Sequence, residues 1–147
     1  MSSHVFHEIY LHINWHVKDD RPMLNPDIEP LVYRFIQERC RKMKGVYFHG
    51  MGGTPTHVHL ALNIEPHVTI SELVKDLKGG SSHDLNTDLR RKELYWQRGY
   101  GVVSFGKSHL DWVLKYLADQ KEHHASGTAH DRLERIAAYE DEPDADV

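Results

Sequence analysis

Two stretches of this chain alternate between large apolar and mostly polar side chains, and this period of two most limits what the chain can fold into. In residues 8–17 (EIYLHINWHV) and in residues 57–64 (HVHLALNI), every second residue is large and apolar. Successive side chains of a strand point to opposite faces of the sheet. Each stretch therefore predicts a strand with one buried face. Shorter strand patterns occur at residues 45–53 and 95–106.

Three segments with helical spacing lie between or after these strands. Residues 27–44 are amphipathic, and the second segment opens with the capping-box sequence TISE at residues 69–72. We expect Gly79 and Gly80 to interrupt this second helix, and a final helix to run from residue 110 to about 124. The order of elements predicts an α+β fold of ferredoxin-like type. It has a single antiparallel sheet with helices packed on one face, plus the C-terminal helix.

The negative charge of the chain is concentrated at its end. The 147 residues carry a net charge of −4, whereas residues 125–147 alone contain two basic and seven acidic side chains, a net charge of −5. The length is that of one domain. We therefore predict a folded domain over residues 1–124 and an acidic, partly disordered tail over residues 125–147. The body can still bind an anionic partner.

The composition excludes several classes of protein. The single cysteine, Cys40, allows neither an internal disulfide nor a thiolate metal site, and its place in the apolar stripe of a helix predicts that it is buried. The first residues do not resemble a signal peptide. No run of about 18 apolar residues predicts a membrane span. We expect a cytoplasmic protein without membrane contact.

His57 and His59 lie on the same face of the predicted strand. At positions i and i+2 their Cα atoms are roughly 6.5–7 Å apart, and both side chains can reach one metal ion at about 2 Å. Alanine follows at position 61, and its small side chain leaves space beside them. The histidine-triad nucleotide hydrolases have a third alternating histidine at this position, so the chain does not match them. Leu60 departs from the motif of the two-histidine phosphoesterases. A chance pair among thirteen histidines remains an alternative.

The last helix offers further donor groups for such an ion. Tyr116 and Gln120 are four residues apart, so a continuous helix places them on one flank. A tyrosine hydroxyl and an amide oxygen could then both approach the ion held by His57 and His59. The alternative interpretation is a tyrosine at the edge of the core and a surface glutamine.

Four segments in this order resemble a known family. They are THVHLALNI, ISELVKDLKGGSSHDLN, WQRGYGVVSFGKS and WVLKYLADQKEHH. Together with HINWHVKDDRPML they resemble the single-tyrosine HUH transposases of the insertion-sequence 200/605 class, including the REP-associated transposases. The similarity covers about residues 8–124. Asp119 stands where asparagine is often found in the family, and the acidic tail is not a family feature.

The resemblance implies a role for each of these side chains. His57 and His59 match the two histidines of the HUH motif, which bind Mg²⁺ or Mn²⁺, and Gln120 matches the third ligand. Tyr116 matches the nucleophile that forms a 5′-phosphotyrosine with single-stranded DNA near a hairpin. The covalent link conserves the phosphoester bond, so no nucleotide cofactor is needed. Family members are often homodimers with shared active sites. Imidazole ligands would also suit Zn²⁺ and other transition ions.

Contacts with DNA are predicted in the second half of the chain. The predicted DNA-binding residues are Lys78, Arg90, Arg91, Lys92, Trp96 and Arg98. Trp96, together with Tyr100, could stack on unpaired bases, which contributes about 1–3 kcal/mol per base. The alternative is a buried tryptophan and solvated arginines.

Two other functions remain open at this point. One is a catalytically silent protein that binds single-stranded nucleic acid on the same scaffold. The other is a dimeric metal-binding protein without a DNA partner. The intact set of His57, His59, Tyr116 and Gln120 favours the enzyme over the silent protein, and the basic clusters and the order of the motifs favour it over the metal-binding protein.

Overall fold

The structure is a computed structural model that describes residues 4–136. Most of the acidic stretch of the tail, with its predicted disorder, therefore lies outside the described residues. Within the described part, none of the helices combines the length and the apolar character that crossing a membrane requires.

A single four-stranded antiparallel sheet forms the centre of the fold. Its strands are β1 (Ile9–His16), β2 (Val46–Thr54), β3 (His57–Ile64) and β4 (Gly101–Phe105), in the order β2-β3-β1-β4. The two strictly alternating segments, β1 and β3, are the central pair, as expected for strands with a fully buried apolar face. The predicted α+β sheet is confirmed.

The last strand is shorter than its sequence predicted. Within residues 95–106 only β4 forms a continuous strand, and Trp96 contributes an isolated bridge to Val17. The indole Nε1 of Trp96 donates to Ser81 Oγ at 3.0 Å, and its ring packs edge-on against Trp15. The segment before β4 is therefore held by side-chain contacts to the core, which a strand pattern does not detect.

Two helices cover the apolar face of the sheet. They are α1 (Glu29–Lys42) and α2 (Ile70–Leu89). Cys40 is buried in this core as expected, and burial raises the pKa of its thiol to about 12. The predicted interruption of α2 at Gly79 and Gly80 is wrong, because the helix is continuous. A Cβ at Gly80 would lie 2.1 Å from Arg39 Nε, so this glycine leaves room for the Arg39 side chain of α1 against α2.

The C-terminal helices lie on the opposite face of the sheet. The predicted single helix is two, α3 (Leu110–Ala118) and α4 (Gln120–Ser126), separated at Asp119, whose φ of −97° and ψ of 17° are not helical. Val113 and Leu117 of α3 pack against Ala61 of β3. A short helix, α5 (Asp131–Glu134), follows and returns to the sheet. The small side chain at position 61 thus gives α3 a place next to the two histidines.

Gly52 on β2 makes this close approach possible, and it provides a test. A Cβ at Gly52 would lie 1.8 Å from the backbone oxygen of Leu117. We expect Gly52→Ala to push α3 away from the sheet and to lower the free energy of unfolding by about 1–3 kcal/mol, as overpacking does. Urea unfolding measures the change. Gly106→Ala is the control, since its Cβ would meet nothing closer than 3.8 Å; equal stability of the two variants would contradict the packing.

Candidate active site

The polar face of β3 carries the two histidines of the motif. His57 and His59 are 4% and 0% exposed, and the neighbouring strand β1 places His16 opposite His57 and Asn14 opposite His59. The ring centroids of His57 and His59 lie 4.9 Å apart, and the ring planes meet at an angle of 68°. The alternation of the strand thus brings both imidazoles to one place, as predicted.

Neighbouring side chains orient both imidazoles. His59 Nδ1 lies 2.8 Å from Nε2 of His12, and His57 Nδ1 lies 2.9 Å from the hydroxyl of Thr54 and 3.1 Å from that of Thr56. With each Nδ1 engaged in this way, the Nε2 atoms are left for the site, as in histidines that bind metals. His12 was not among the predicted site residues, although the alternation of β1 places it on the polar face of that strand.

Burial keeps the imidazoles of His12 and His59 neutral. Burial, with the neighbouring His59, lowers the pKa of His12 to about 3, and burial lowers the pKa of His59 to about 4. A neutral imidazole keeps the lone pair that a metal ion needs. His59 is therefore in the protonation state of a ligand throughout the physiological range.

Tyr116 lies beside this pair. It is 4% exposed, and its ring centroid is 6.2 Å from that of His59. Its hydroxyl donates a short hydrogen bond to Glu134 Oε2 and accepts one of 2.8 Å from the backbone N–H of His130. Burial, followed by the hydrogen bond to Glu134, raises the pKa of Tyr116 to about 12. The phenol is therefore protonated in this arrangement.

Gln120 is the first residue of α4 and is also buried. Its amide Nε2 lies 3.4 Å from the backbone oxygen of Tyr116, whereas its Oε1 has no hydrogen-bond partner. His59 Nε2 likewise makes no aligned hydrogen bond, although Glu134 Oε1 is 3.1 Å away. Buried polar atoms without partners are costly, so these two donor atoms indicate a place for a ligand.

Glu134 is the unexpected member of the site. Its Oε1 lies 3.1 Å from Nε2 of His57, 3.1 Å from that of His59 and 3.0 Å from that of His124. One donor atom from each of these four residues lies within 4.8 Å of the others. Although burial opposes it, the neighbouring imidazoles of His57 and His59 hold the pKa of Glu134 well below its usual range.

Residues 130–135, which we call the C-terminal strap, bring Glu134 to the site. Asn14 Nδ2 donates to the backbone oxygens of Leu133 at 3.0 Å and Arg135 at 3.2 Å, and Arg132 donates to the backbone oxygen of Ser104. Leu133 is 5% exposed. The sequence predicted only an acidic, partly disordered tail here, because no local signal connects the strap with β1.

The predicted DNA-binding residues divide into two groups. Trp96 is 0% exposed and Lys78 is 4% exposed, and Lys78 Nζ donates to the backbone oxygens of Gln97 and Gly99. These two side chains therefore hold the loop before β4 and are not on the surface, so the predicted stacking of bases on Trp96 does not fit the structure. The other four are exposed; they are Arg90, Arg91, Lys92 and Arg98.

Comparison with known proteins assigns the chain to a family. Residues 5–120 match the sequence model of the family described as transposase IS200 like. The match covers both histidines, Tyr116 and Gln120. The chain belongs to this family of IS200-like transposases, as the resemblance implied.

Solved structures share the fold. A protein from Deinococcus radiodurans R1, assigned as a transposase, is 18% identical with a TM-score of 0.64, and the alignment covers 82% of this chain and 96% of that one. A REP-associated tyrosine transposase bound to a REP hairpin is 12% identical with a TM-score of 0.59, covering 88% of this chain and 76% of that one. No protein of curated function matches the chain.

Proposed function

We propose that this transposase cleaves and rejoins single-stranded DNA through a covalent link to Tyr116. The proposal rests on one observation: a single carboxylate contacts a phenol and three imidazoles. The carboxylate is that of Glu134, and its partners are Tyr116, His57, His59 and His124. A hydroxyl nucleophile and a group of metal-ligating side chains thus lie next to each other, as the family's reaction requires.

His57, His59 and Gln120 are the proposed ligands of a divalent ion, Mg²⁺ or Mn²⁺. They fit an ion because His59 Nε2 and Gln120 Oε1 are buried donor atoms without hydrogen bonds. His124 and Glu134 offer further donors in the same cluster. When bound, the ion would supply Lewis-acid polarisation of the scissile phosphate.

Tyr116 is the proposed nucleophile. A bond forms between its oxygen and the phosphorus while the bond from phosphorus to the 3′-oxygen breaks, which leaves a 5′-phosphotyrosine and a free 3′-hydroxyl. The proton that the phenol loses matches the one that the 3′-oxygen gains. The rings of Trp112 and His123 stack on Tyr116 with centroids 5.7 and 4.7 Å away, so the phenol is held in position for attack.

Single-stranded DNA with a hairpin is the proposed substrate, and the cytoplasm is the proposed compartment. The REP hairpin bound by the structural relative supports this substrate class. The exposed cations Arg90, Arg91, Lys92 and Arg98 are proposed to contact its phosphates. We also propose a homodimer, but Tyr116 lies against His59 of its own chain. Exchange of the helix between subunits is therefore not needed to build the site.

The test is the formation of a covalent adduct. Labelled hairpins with varied single-stranded flanks are incubated with the protein and Mn²⁺, then separated under denaturing conditions. We expect a protein–DNA band that survives denaturation and disappears when the metal is chelated. If hairpins are bound but no flank gives an adduct, the protein is instead a silent binding module. The carboxylate of Glu134 among the histidines is the observation that favours this second candidate.

Glu134 provides a prediction about access to the site. Its oxygens lie between the histidines and Tyr116, where a phosphate oxygen has to come. It is a poor base for the phenol, because its pKa is far below that of Tyr116. We therefore expect Glu134→Ala to accelerate adduct formation about tenfold or more. In this variant the DNA no longer has to displace a charge-assisted hydrogen bond, and the free energy of one such bond corresponds to this factor.

Glu122→Ala is the matched control, since Glu122 is an exposed carboxylate on α4. It should form the adduct at the wild-type rate, measured in the same single-turnover assay. A slower reaction of Glu134→Ala would mean that this carboxylate assists the reaction and does not obstruct it.

A further inference from the structure

Trp112 is exposed next to the proposed nucleophile. Of the three tryptophans in the chain, Trp15 and Trp96 are 0% exposed, whereas Trp112 is 51% exposed. It lies on α3 four residues before Tyr116, and the two rings are parallel to within 12°. A large aromatic side chain that stays half in solvent beside a reactive group is typical of a binding surface.

A pocket of about 560 Å³ opens beside this indole. Phe105, Trp112 and Val113 form its apolar walls, and His109 and Arg132 contribute polar groups. This volume and this combination of apolar walls with few polar groups are typical of sites for small organic groups. We call it the Trp112 pocket.

We propose that the Trp112 pocket binds the unpaired base of the nucleotide whose 5′-phosphate Tyr116 attacks, with the base stacked on the indole. The inference rests on the proposed function and adds to it a contact that selects the cleavage position. When a phosphate of the DNA reaches the Tyr116 oxygen, the base attached to that nucleotide must lie within the length of one nucleotide from this oxygen. The indole, stacked on the phenol ring with centroids 5.7 Å apart, lies within that distance.

The chemistry of the pocket fits a base better than a peptide side chain or a lipid. A nucleobase has flat apolar faces, which stack on aromatic rings, and polar edges. The guanidinium of Arg132 uses one Nη2 hydrogen bond for the backbone oxygen of Ser104, and its other N–H groups can donate to base acceptors. The base must be unpaired, because a duplex does not expose its faces.

Tryptophan fluorescence tests the proposal directly. Since Trp15 and Trp96 are buried, quenching by DNA reports Trp112. The Tyr116→Phe variant, which cannot react, is titrated with a DNA hairpin that has a single-stranded flank. It is also titrated with a series of such DNAs, each with one abasic site at a different position of the flank. We expect quenching that disappears only when the abasic site is at the nucleotide 3′ of the scissile phosphate, while anisotropy shows that the strand is still bound. Quenching that does not depend on position overturns the proposal.

Substitution of Trp112 provides a second measurement. In the wild-type background, Trp112→Ala should slow adduct formation roughly 5- to 150-fold, as the loss of one base–aromatic stack does, and Trp112→Phe should restore most of the rate. Tyr95→Ala is the matched control, because Tyr95 is another exposed aromatic residue, at 37%. An equal effect of the two alanine variants contradicts the proposal.

These outcomes separate the pocket from the proposed function. If the wild type forms the adduct but Trp112→Ala reacts at the same rate, the pocket inference is wrong and the function stands. If no adduct forms but quenching depends on the abasic position, the function is wrong and the pocket is a binding site. Acrylamide quenching of Trp112 fluorescence is also measured without DNA. If this quenching weakens as the protein concentration rises, a second copy of the chain covers the surface, and the proposal is overturned.

Discussion

Tyr116→Phe should form no covalent adduct with single-stranded DNA while it binds hairpin DNA as the wild type does. The substitution removes a single oxygen, the atom that bonds to phosphorus, and keeps the ring that stacks on Trp112 and on His123. The hydrogen bonds to Glu134 and from the His130 N–H are lost. The adduct is measured on a denaturing gel with labelled DNA and identified by mass spectrometry, and binding is measured by anisotropy.

Tyr47→Phe is the matched control for this result. Tyr47 donates a hydrogen bond of 2.5 Å to Glu65, so it is a second tyrosine–carboxylate pair, outside the site. Its variant loses the same kind of interaction and should form the adduct at the wild-type rate. An adduct with Tyr116→Phe would show that another residue is the nucleophile.

His59→Ala should abolish Mn²⁺ binding, and with it the stimulation of cleavage by metal. Its imidazole is fully buried and is oriented by His12 Nε2, 2.8 Å from its Nδ1. Loss of the ligand should have a larger effect than His12→Ala, which removes only the orienting partner and should weaken Mn²⁺ binding about 10- to 100-fold. Titration calorimetry and the electron paramagnetic resonance of free Mn²⁺ measure the affinity without DNA.

His83→Ala is the control, because His83 is an exposed histidine on α2. It should bind Mn²⁺ like the wild type. Thermal unfolding accompanies each measurement, because a buried histidine can also stabilise the fold. Wild-type Mn²⁺ affinity in a folded His59→Ala protein would exclude this histidine as a ligand.

Local periodicity explains why much of the candidate site could be predicted from the sequence. An alternating strand places His57 and His59 on one face whatever surrounds it. The spacing of Tyr116 and Gln120 is set in the same way by helical geometry, and both side chains are buried next to that face although the helix is broken at Asp119 between them. The small residue at position 61 was expected to leave space beside the histidines, and in the structure α3 occupies that space.

Periodicity could not decide which aromatic side chains are exposed. Trp96 follows a basic cluster and was predicted to meet DNA, yet its indole is buried and bonded to Ser81. Trp112 lies outside the apolar stripe of α3, but only its neighbours show that it borders a pocket. Burial depends on which elements pack against a residue, and that information is not local.

The sequence by itself determined the strands and the side chains that share a face, because these follow from spacing along one element. The order of several segments along the chain indicated the family through its resemblance. Only the tertiary structure decided that His12 orients His59 and that Glu134 lies among the histidines. Glu134 is separated from His57 by 77 residues, and no pattern of period two or 3.6 extends so far. The contacts of the C-terminal strap with Asn14 and Ser104 bring it there, and they exist only when β1, β4 and α5 have come together.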